Sequence, residues 1–333
     1  MKQYLILLRP YGMLFLGFTP VFGAIANGEV AISHLLPLLF IGVLIHIFTF
    51  VQNDYYDVAV DRKSPFVSNR PLVTESITLK STLIIIAGSF LLSLVLSTIF
   101  FFTVSSFVML LVSFSCMTFY NRYSKRYAGM EYILSLGVFS CGLYGALTSS
   151  NDISPLVLVV STIGLMQWLF SVGISANLKD VESDSKVGIK TTPIVLGVFV
   201  KKKRLILPLS FKIYALVIKG LHILIASLPF FLGYTSLYVG TFPIPGICFL
   251  GVMIILLSLS LKIISTSVIK RDTRLIYIGL QEGFALLVLS IVLMSILVDA
   301  FSALPTLLLV VLFIVWPLFW FRVLFGRRMI PLE

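Results

Sequence analysis

The chain has 333 residues, of which 59% are hydrophobic and only 12% are charged, and its formal net charge is +11. A soluble domain is typically about 25% charged and about 45–50% apolar, so the composition excludes an ordinary soluble protein. The mean hydropathy of +1.07 indicates a protein of the lipid bilayer, because a run of about 20 apolar residues crosses a membrane as a helix.

Apolar runs long enough to span a membrane occur along the whole chain, and we predict ten of them. They lie at about residues 11–28, 34–52, 80–102, 103–121, 130–149, 155–177, 213–233, 243–262, 275–297 and 303–325. The predicted fold class is therefore an all-α polytopic membrane protein. We expect residues 1–333 to form a single transmembrane domain.

The basic residues are distributed unevenly between the two sides of this topology. With the N-terminus inside, all 25 Lys and Arg fall on the inner side or at the inner end of a span. The outer connections, near residues 27–33, 149–154, 233–243 and 299–303, carry none. This asymmetry follows the positive-inside rule. It predicts an integral protein of the cell membrane, and it argues against nucleic acid as a partner.

The second span ends in a polar stretch, Asn53–Asp61, which we call the first acidic segment. If the helix continues through it, Asn53, Asp57 and Asp61 share one face, and Asp54 borders that face. Like charges near hydrocarbon repel one another and are costly, and a divalent cation relieves both effects. Oxygen ligands suit Mg²⁺, which usually recruits substrate phosphate. We therefore predict a magnesium site with Asn53, Asp57 and Asp61 as ligands.

Three basic positions on the inner side are candidates for contact with an anionic substrate. Arg9 is expected to be either an interfacial anchor or a phosphate ligand. Arg70 follows the first acidic segment closely enough to lie over it, and a guanidinium fork suits phosphate oxygens. The fourth span ends in Tyr120–Arg126, where Lys125 would supply a cation and Tyr120 a phenol hydroxyl. Taken alone, that stretch is an ordinary aromatic and basic interface belt.

The sixth span also ends in carboxylates, in a stretch, Asn177–Asp184, that we call the second acidic segment. On a helix, Asn177, Asp180 and Asp184 share one face, whereas Glu182 points roughly the other way. We expect the two acidic segments to face each other across one cavity. Such an arrangement would hold a diphosphate through bridging Mg²⁺ ions.

Two lysines follow the second acidic segment in a stretch in which Gly188 and Pro193 indicate a turn. Lys186 and Lys190 are therefore expected to place cations near the acids. A further polar pair, Gln281–Glu282, lies inside the ninth apolar run. An intramembrane carboxylate is a candidate functional group, and the other interpretation is that it caps a polar pocket.

The order of these motifs resembles that of a known family, the UbiA-type intramembrane prenyltransferases. Asn53–Asp61 followed by Asn69–Leu72 resembles the first signature of that family. Lys179–Asp184 followed by Gly188–Pro193 resembles the second, and Tyr120–Lys125 is similar to the intervening Tyr/Lys element. The order and spacing agree over about residues 9–300.

The resemblance implies nine transmembrane helices around a central cavity, with the motif loops forming a cap on the cytoplasmic side. Our ten predicted spans exceed that number by one, so either the stretch after Phe301 is an addition or one span is wrong. The connection Arg62–Ser68 is also long, and Thr74-Glu75 stands where a glycine is common in the family.

The resemblance also implies an enzyme, a membrane prenyltransferase with Mg²⁺ as its cofactor. The reaction would transfer an isoprenyl group from an allylic isoprenyl diphosphate donor to a lipophilic acceptor, releasing diphosphate inside the membrane. The implied catalytic residues are Asp57, Asp61, Asp180 and Asp184, which would also bind the metal together with Asn53. The implied substrate-binding residues are Asn53, Asp54, Arg70, Tyr120, Lys125, Asn177, Lys186 and Lys190.

Two questions stay open at the level of the sequence. The acceptor is either a quinone precursor or a compound of the geranylgeranylglyceryl phosphate type, and no residue selects between them. The competing function is a cation transporter or channel for Mg²⁺, because acidic clusters at membrane helix ends also bind transported ions. A cation pathway would more naturally place its acids at mid-membrane and avoid adjacent Arg and Lys.

Overall fold

The computed structural model describes residues 1–63, 67–201, 204–265 and 271–326, without the side chains of residues 271–274. Part of the long connection Arg62–Ser68 therefore lies outside the described residues. The helices are α1 (Lys2–Leu8), α2 (Met13–Ala26), α3 (Ile32–Asp61), α4 (Leu79–Phe101), α5 (Val104–Tyr123), α6 (Met130–Leu147), α7 (Pro155–Phe170), α8 (Asn177–Val187), α9 (Thr192–Val195), α10 (Leu209–Phe231), α11 (Ile244–Ser265), α12 (Arg271–Val292), α13 (Met294–Phe301) and α14 (Ala303–Phe325).

Three short elements complete the description. A 3₁₀ turn, Pro10–Gly12, joins α1 to α2, and a π-helix, Ser171–Ala176, joins α7 to α8 without a break. Strands β1 (Phe199–Lys201) and β2 (Arg204–Ile206) form an antiparallel hairpin in which Phe199 pairs with Ile206. The all-α prediction did not include this hairpin, whose two strands of three residues are too short to show an alternating pattern.

Ten helical stretches of the described chain have the length and apolar composition of a membrane span. This confirms an integral membrane protein with the predicted number of spans, one more than the family resemblance implied. The tenth of these spans is α14, which lies beyond the residues of the last apolar run before Phe301. Two of the spans are unusually long, Ile32–Asp61 with 30 residues and Pro155–Val187 with 33. Their extra length carries the two acidic segments, so both segments are helical extensions of membrane helices, as predicted.

Contacts between residues divide the chain into two compact units. Unit 1 comprises residues 1–123, 136–157 and 315 onward, and unit 2 comprises residues 124–135 and 158–314. The first acidic segment belongs to unit 1 and the second to unit 2.

In unit 1, small residues allow α2 to approach its neighbours closely. A Cβ atom added at Gly42 of α3 would meet the backbone carbonyl of Gly17, and one added at Gly145 of α6 would meet that of Pro20. Small residues are typical of membrane helix interfaces, because packing rather than hydrophobic exclusion holds helices together in lipid. These contacts pack α3, which carries the first acidic segment, directly against α2.

In unit 2, an apolar cluster lies along one side of α7, the π-helix and α8. Its buried members come from these helices, from the β-hairpin region and from α10 and α11. They are Leu169, Phe170, Ile174, Leu178, Val181, Val198, Leu205, Leu207, Phe211, Ala215, Ile218, Ile263 and Ile264. Because Leu178 and Val181 are buried in this cluster, the opposite side of α8 is left for its polar residues.

Candidate active site

The carboxylates of the first acidic segment lie on a buried face of α3. Asp54, Asp57 and Asp61 are only 5%, 6% and 9% exposed, whereas Asn53 is half-buried. Their spacing of three and four residues places the three carboxylates on one side of the helix. The buried set therefore includes Asp54, which the sequence placed at the border of the face, but not Asn53.

Two arginines from other parts of unit 1 reach this face. Arg9 Nη2 donates to Asp54 Oδ1, and Arg70 Nη1 donates to Asp61 Oδ2 at 2.6 Å and to Asp54 Oδ1 at 3.3 Å. Asp54 thus lies between two guanidinium groups. The prediction that Arg70 covers the first acidic segment is confirmed, and such charge-assisted hydrogen bonds are among the stronger ones in proteins.

The neighbouring carboxylates keep Arg70 in its positively charged form. Burial by itself lowers the pKa of Arg70, but the carboxylates of Asp54, Asp61 and Asp57 outweigh it and raise the pKa above its ordinary value. The guanidinium therefore stays positive at every pH at which a protein remains folded. A permanent cation beside carboxylates is suited to receiving the oxygens of an anionic substrate.

Arg9, for which the sequence left open an interfacial anchor or a phosphate ligand, reaches the carboxylates of α3. It adopts a left-handed backbone conformation, with φ 49° and ψ 57°, between α1 and the 3₁₀ turn. For a non-glycine residue this conformation costs about 1–2 kcal/mol, and such strain is concentrated at functional sites. The guanidinium also lies 5.3 Å from the ring centroid of Phe50. The available sequence signal was an isolated arginine before a proline within an apolar stretch.

The loop that carries Arg70 is held by its own hydrogen bonds. Thr74 Oγ1 donates to the carbonyl of Arg70 at 3.2 Å, and Ser76 Oγ donates to that of Pro71 at 3.1 Å. Glu75 has a positive φ of 57°, a conformation that glycine adopts without steric cost, in line with the glycine that the family resemblance implied at this point. Its side chain accepts a hydrogen bond from Arg62 Nη2 at 2.7 Å on an exposed surface.

In the second acidic segment, α8 presents a polar face that is less buried than that of α3. Asp184 is 4% exposed, and Asn177 and Asp180 are half-buried. Glu182 is exposed, as predicted, and accepts a hydrogen bond from Lys186 Nζ at 3.1 Å. Lys186 thus lies near an acid of the segment, as expected, but that acid is Glu182 on the exposed side of α8.

The end of α8 fits the predicted turn. Gly188 has a positive φ of 77°, and the N–H of Ile189 donates to the carbonyl of Asp184 at 3.0 Å. Glycine adopts this conformation without steric cost, which makes it a common helix terminator. Lys190 follows the turn with an exposed side chain.

The Tyr120–Lys125 stretch lies at the end of α5 and in the turn after it. Tyr120 and Lys125 are both half-buried. Between them, Asn121 is buried, and its Nδ2 donates to Thr49 O at 2.9 Å and to Gln52 Oε1 at 3.0 Å. Asn121 therefore joins α5 to α3 immediately before the first acidic segment. The sequence did not indicate this contact of Asn121, because a buried asparagine has no periodic signature.

The chemistry of the first acidic segment fits magnesium held together with a phosphate ligand. Three carboxylates face two guanidinium groups there, which leaves a net negative charge. Within the described residues, no group of three His, Cys, Asp or Glu side chains forms a ready-made metal cage. Mg²⁺ usually binds through one or two carboxylates plus substrate phosphates, so it does not need such a cage.

The fold and this site define an integral membrane protein with carboxylates and arginines at the ends of its long helices. The sequence matches the UbiA prenyltransferase family over residues 13–261, and the chain belongs to this family. The family membership confirms the resemblance drawn from the two acidic motifs.

Two relatives differ in how much of the chain they match. A digeranylgeranylglyceryl phosphate synthase of Sulfolobus acidocaldarius is 25% identical over 283 residues, which are 83% of this chain and 94% of that protein. A 4-hydroxybenzoate octaprenyltransferase of Pseudomonas fluorescens is 26% identical over 176 residues, or 52% of this chain. In that case the match spans only 57% of the relative's length.

Solved structures of similar fold come from the same family. A UbiA homolog from Aeropyrum pernix, without ligand, has a TM-score of 0.64 at 14% identity and covers 86% of this chain and 97% of that chain. A UbiA homolog from Archaeoglobus fulgidus bound to DMAPP and Mg²⁺ has a TM-score of 0.59 at 18% identity, with coverages of 86% and 99%. At these identities the similarity establishes the fold.

Proposed function

We propose that this protein is a Mg²⁺-dependent prenyltransferase. It transfers an isoprenyl group from an allylic isoprenyl diphosphate to a lipophilic acceptor in the membrane and releases diphosphate. The observation that carries the proposal is the buried carboxylate face of α3, on which Asp54 and Asp61 hold Arg70 in a protein of the UbiA family. That arrangement combines oxygen ligands for a metal with cations for phosphate.

The carboxylates would hold the metal ions. Asp57 and Asp61, with Asn53, would bind one Mg²⁺, and Asp180 and Asp184 a second. A bound Mg²⁺ would supply positive charge that offsets the negative charge developing on the leaving diphosphate. The Archaeoglobus fulgidus homolog, which was solved with DMAPP and Mg²⁺, supports the choice of metal.

The chain's cations would bind the remaining charge of the diphosphate. Arg70 keeps one guanidinium beside Asp54 and Asp61, and Arg9 approaches Asp54 from the N-terminal turn. Once the diphosphate binds, their remaining N–H groups are donors to its oxygens. Lys125, Tyr120, Asn177 and Lys190 are proposed as further contacts. Lys186 is the weakest candidate, because it is paired with Glu182 on the surface.

The membrane-spanning helices would exclude water from the reaction. Bond cleavage leaves positive charge on the allylic carbon, which aromatic faces stabilise and which water would quench. An apolar setting for the prenyl chain protects that carbon until the acceptor attacks it. We further propose that the acidic segments lie on the cytoplasmic side, because the basic residues cluster on the same side of the predicted topology.

For the acceptor, we propose a compound of the geranylgeranylglyceryl phosphate type. The synthase of Sulfolobus acidocaldarius aligns with 83% of this chain, whereas the octaprenyltransferase of Pseudomonas fluorescens aligns with 52%. A quinone precursor such as 4-hydroxybenzoate is the second acceptor to test.

The proposal is tested by diphosphate release from purified protein in detergent. Geranylgeranyl diphosphate is supplied with Mg²⁺ and either geranylgeranylglyceryl phosphate or 4-hydroxybenzoate, and EDTA provides the metal-free control. We expect product only when both metal and acceptor are present. Mg²⁺ transport into vesicles without any diphosphate release would reject the proposal in favour of the transporter.

A further inference from the structure

A cluster of polar side chains from three helices lies within the membrane-spanning part of unit 2. Glu282 of α12 accepts hydrogen bonds on Oε2 from Ser171 Oγ and from Gln167 Nε2, the latter at 3.2 Å. Lys219 of α10 has no exposed surface, and its Nζ donates to Gln167 Oε1 at 3.4 Å. Any of these groups would be costly alone in hydrocarbon, so the members of the cluster hold one another in place.

Two more side chains complete the cluster. His222 Nδ1 lies 3.3 Å from Lys219 Nζ. With its amide oriented to satisfy both neighbours, Gln281 donates to Glu282 Oε1 at 2.6 Å and accepts from Lys219 Nζ at 3.1 Å. Both carboxylate oxygens of Glu282 are then used, and amide groups connect its charge to that of Lys219.

The cluster contacts the last turn of α7, directly before the π-helix. Besides Gln167 and Ser171, it reaches Phe170, because Lys219 Nζ lies 4.0 Å from the centroid of that ring. The π-helix has a second buried carboxylate beside it, since a Cβ added at Gly173 would lie 3.0 Å from Glu131 Cγ. The π-helix is therefore held at its first residue and packed closely at its third.

The π-helix decides the direction of the second acidic segment, because α8 follows it without a break. A π turn contains an additional residue, and such turns are rare and short. In an α-helix each residue advances by about 100° around the axis. If Ser171–Ala176 reverted to an α-helix, Asn177, Asp180 and Asp184 would turn by about that angle and point elsewhere.

We propose that Glu282 is a positioning residue for the second acidic segment. By accepting from Ser171 and Gln167 it maintains Ser171–Ala176 as a π-helix, and so it sets the direction of the Asp180 and Asp184 carboxylates. The consequence for metal binding rests on the proposed function, whereas the effect on helix geometry does not.

The first experiment compares Glu282→Gln and Ser171→Ala in the full chain. The Mg²⁺ concentration needed for half-maximal binding of geranylgeranyl diphosphate should rise about tenfold or more in Glu282→Gln, as for outer-shell partners of metal sites. Ser171→Ala should act in the same direction. Amide hydrogen exchange over residues 171–180 of the metal-free protein should increase in both. Ser290→Ala is the matched control, since this buried hydroxyl of α12 donates to Leu287 O of its own helix.

The second experiment removes the need for the π-helix. Deleting Val172 allows the turn to become α-helical while the residues after it keep their direction. In that background, Glu282→Gln should change the Mg²⁺ requirement by less than about twofold, because the two changes act on one element and are not additive. A general loss of stability would instead give the same Glu282→Gln effect in both backgrounds, which would overturn the proposal.

The outcomes separate this inference from the proposed function. If Glu282→Gln and Ser171→Ala leave both the Mg²⁺ requirement and the hydrogen exchange unchanged, Glu282 does not position the segment. If the unmodified protein shows no Mg²⁺-dependent donor binding, the proposed function fails, and exchange in the metal-free protein still decides the role of Glu282. If the deletion variant does not fold, exchange in Ser171→Ala decides it.

Discussion

Arg70 balances the carboxylates of α3, and its geometry matters as much as its charge. One nitrogen, Nη1, contacts both Asp61 and Asp54, and a planar guanidinium has further N–H groups for a substrate. Lysine has the same charge but lacks the planar fork. We expect Arg70→Lys to weaken donor binding about tenfold or more, the equivalent of one charge-assisted hydrogen bond.

This defect should not depend on pH. The pKa of Arg70 is raised above its ordinary value by the neighbouring carboxylates, so its contribution is fully present below that ordinary pKa and would be lost only at still higher pH. Lysine also stays charged near neutrality. Titration calorimetry with geranylgeranyl diphosphate between about pH 6 and 9 measures the donor affinities of the unmodified protein and of Arg70→Lys. A ratio of these two affinities that changes steadily with pH would contradict the prediction.

Asp57 is predicted to be indispensable for turnover and dispensable for folding. Asparagine has nearly the same shape but no charge to offer a metal, so Asp57→Asn should lower the rate of diphosphate release about 100-fold or more. The melting temperature should stay the same or rise, because the variant removes one of three neighbouring negative charges. The control is Asp299→Asn, which changes an exposed carboxylate near the end of α13. Turnover that survives Asp57→Asn would exclude Asp57 as a metal ligand.

At the scale of elements, the α2–α3 contact depends on the absence of side chains. A Cβ at Gly42 would meet the carbonyl of Gly17, and neither backbone can move far within a packed helix pair. Gly42→Val should therefore destabilise the protein by about 1–3 kcal/mol through overpacking and lower its melting temperature in detergent. Gly88→Val on α4 is the control, because a Cβ there has no neighbour within 4 Å. Equal effects of the two would exclude close packing as the cause.

Helix α14, which lies beyond the family match, also contributes contacts to unit 1. Trp316 Nε1 of α14 donates to the carbonyl of Pro10 at 2.6 Å, and Tyr11 lies 4.7 Å from Phe321 between ring centroids. These contacts hold the 3₁₀ turn that follows Arg9. The tenth span is thus a support for the strained residue that reaches Asp54.

Loss of that support should be visible in substrate binding. Trp316→Phe removes one hydrogen bond, worth about 1 kcal/mol, and should weaken donor binding about fivefold while the protein stays folded. Trp320→Phe is a matched control on the same helix, because the Trp320 indole N–H has no hydrogen-bond partner among the described residues. Measuring the donor affinity of both variants tests whether the Trp316 hydrogen bond supports donor binding. Equal affinities would show that α14 does not contribute to it.

At the scale of the whole molecule, ten spans whose outer connections carry no Lys or Arg predict the sidedness of both acidic segments. Single cysteines are introduced as Ser185→Cys, in α8, and Ser150→Cys, in an outer connection, after the three native cysteines are replaced. A membrane-impermeant maleimide should label Ser150→Cys in intact cells and Ser185→Cys only in inverted vesicles. Labelling of both from the same side would contradict the topology.

The membrane helices and the acidic motifs could be predicted from the sequence because their signals are local. Apolar length alone marks a membrane helix, and the spacing of Asp57 and Asp61 gives a shared face once a helix is assumed. The contact of Arg70 with Asp61 could be predicted because the two residues are only nine positions apart in the chain. By contrast, Lys186 is closer still to Asp184 in sequence, yet it pairs with Glu182, because an exposed lysine takes the nearest carboxylate on its own side of the helix.

By itself, then, the sequence determined the class of protein, its ten spans and the two segments that carry its carboxylates. Only the tertiary structure decided that Arg9 reaches Asp54, that α14 supports the turn beside it, and that Glu282 accepts a hydrogen bond from Ser171. The reason is physical. A membrane span depends on the apolar character of consecutive residues, which the sequence shows directly. These contacts instead join side chains separated by 45, 306 and 111 positions. They exist only after the helices have packed.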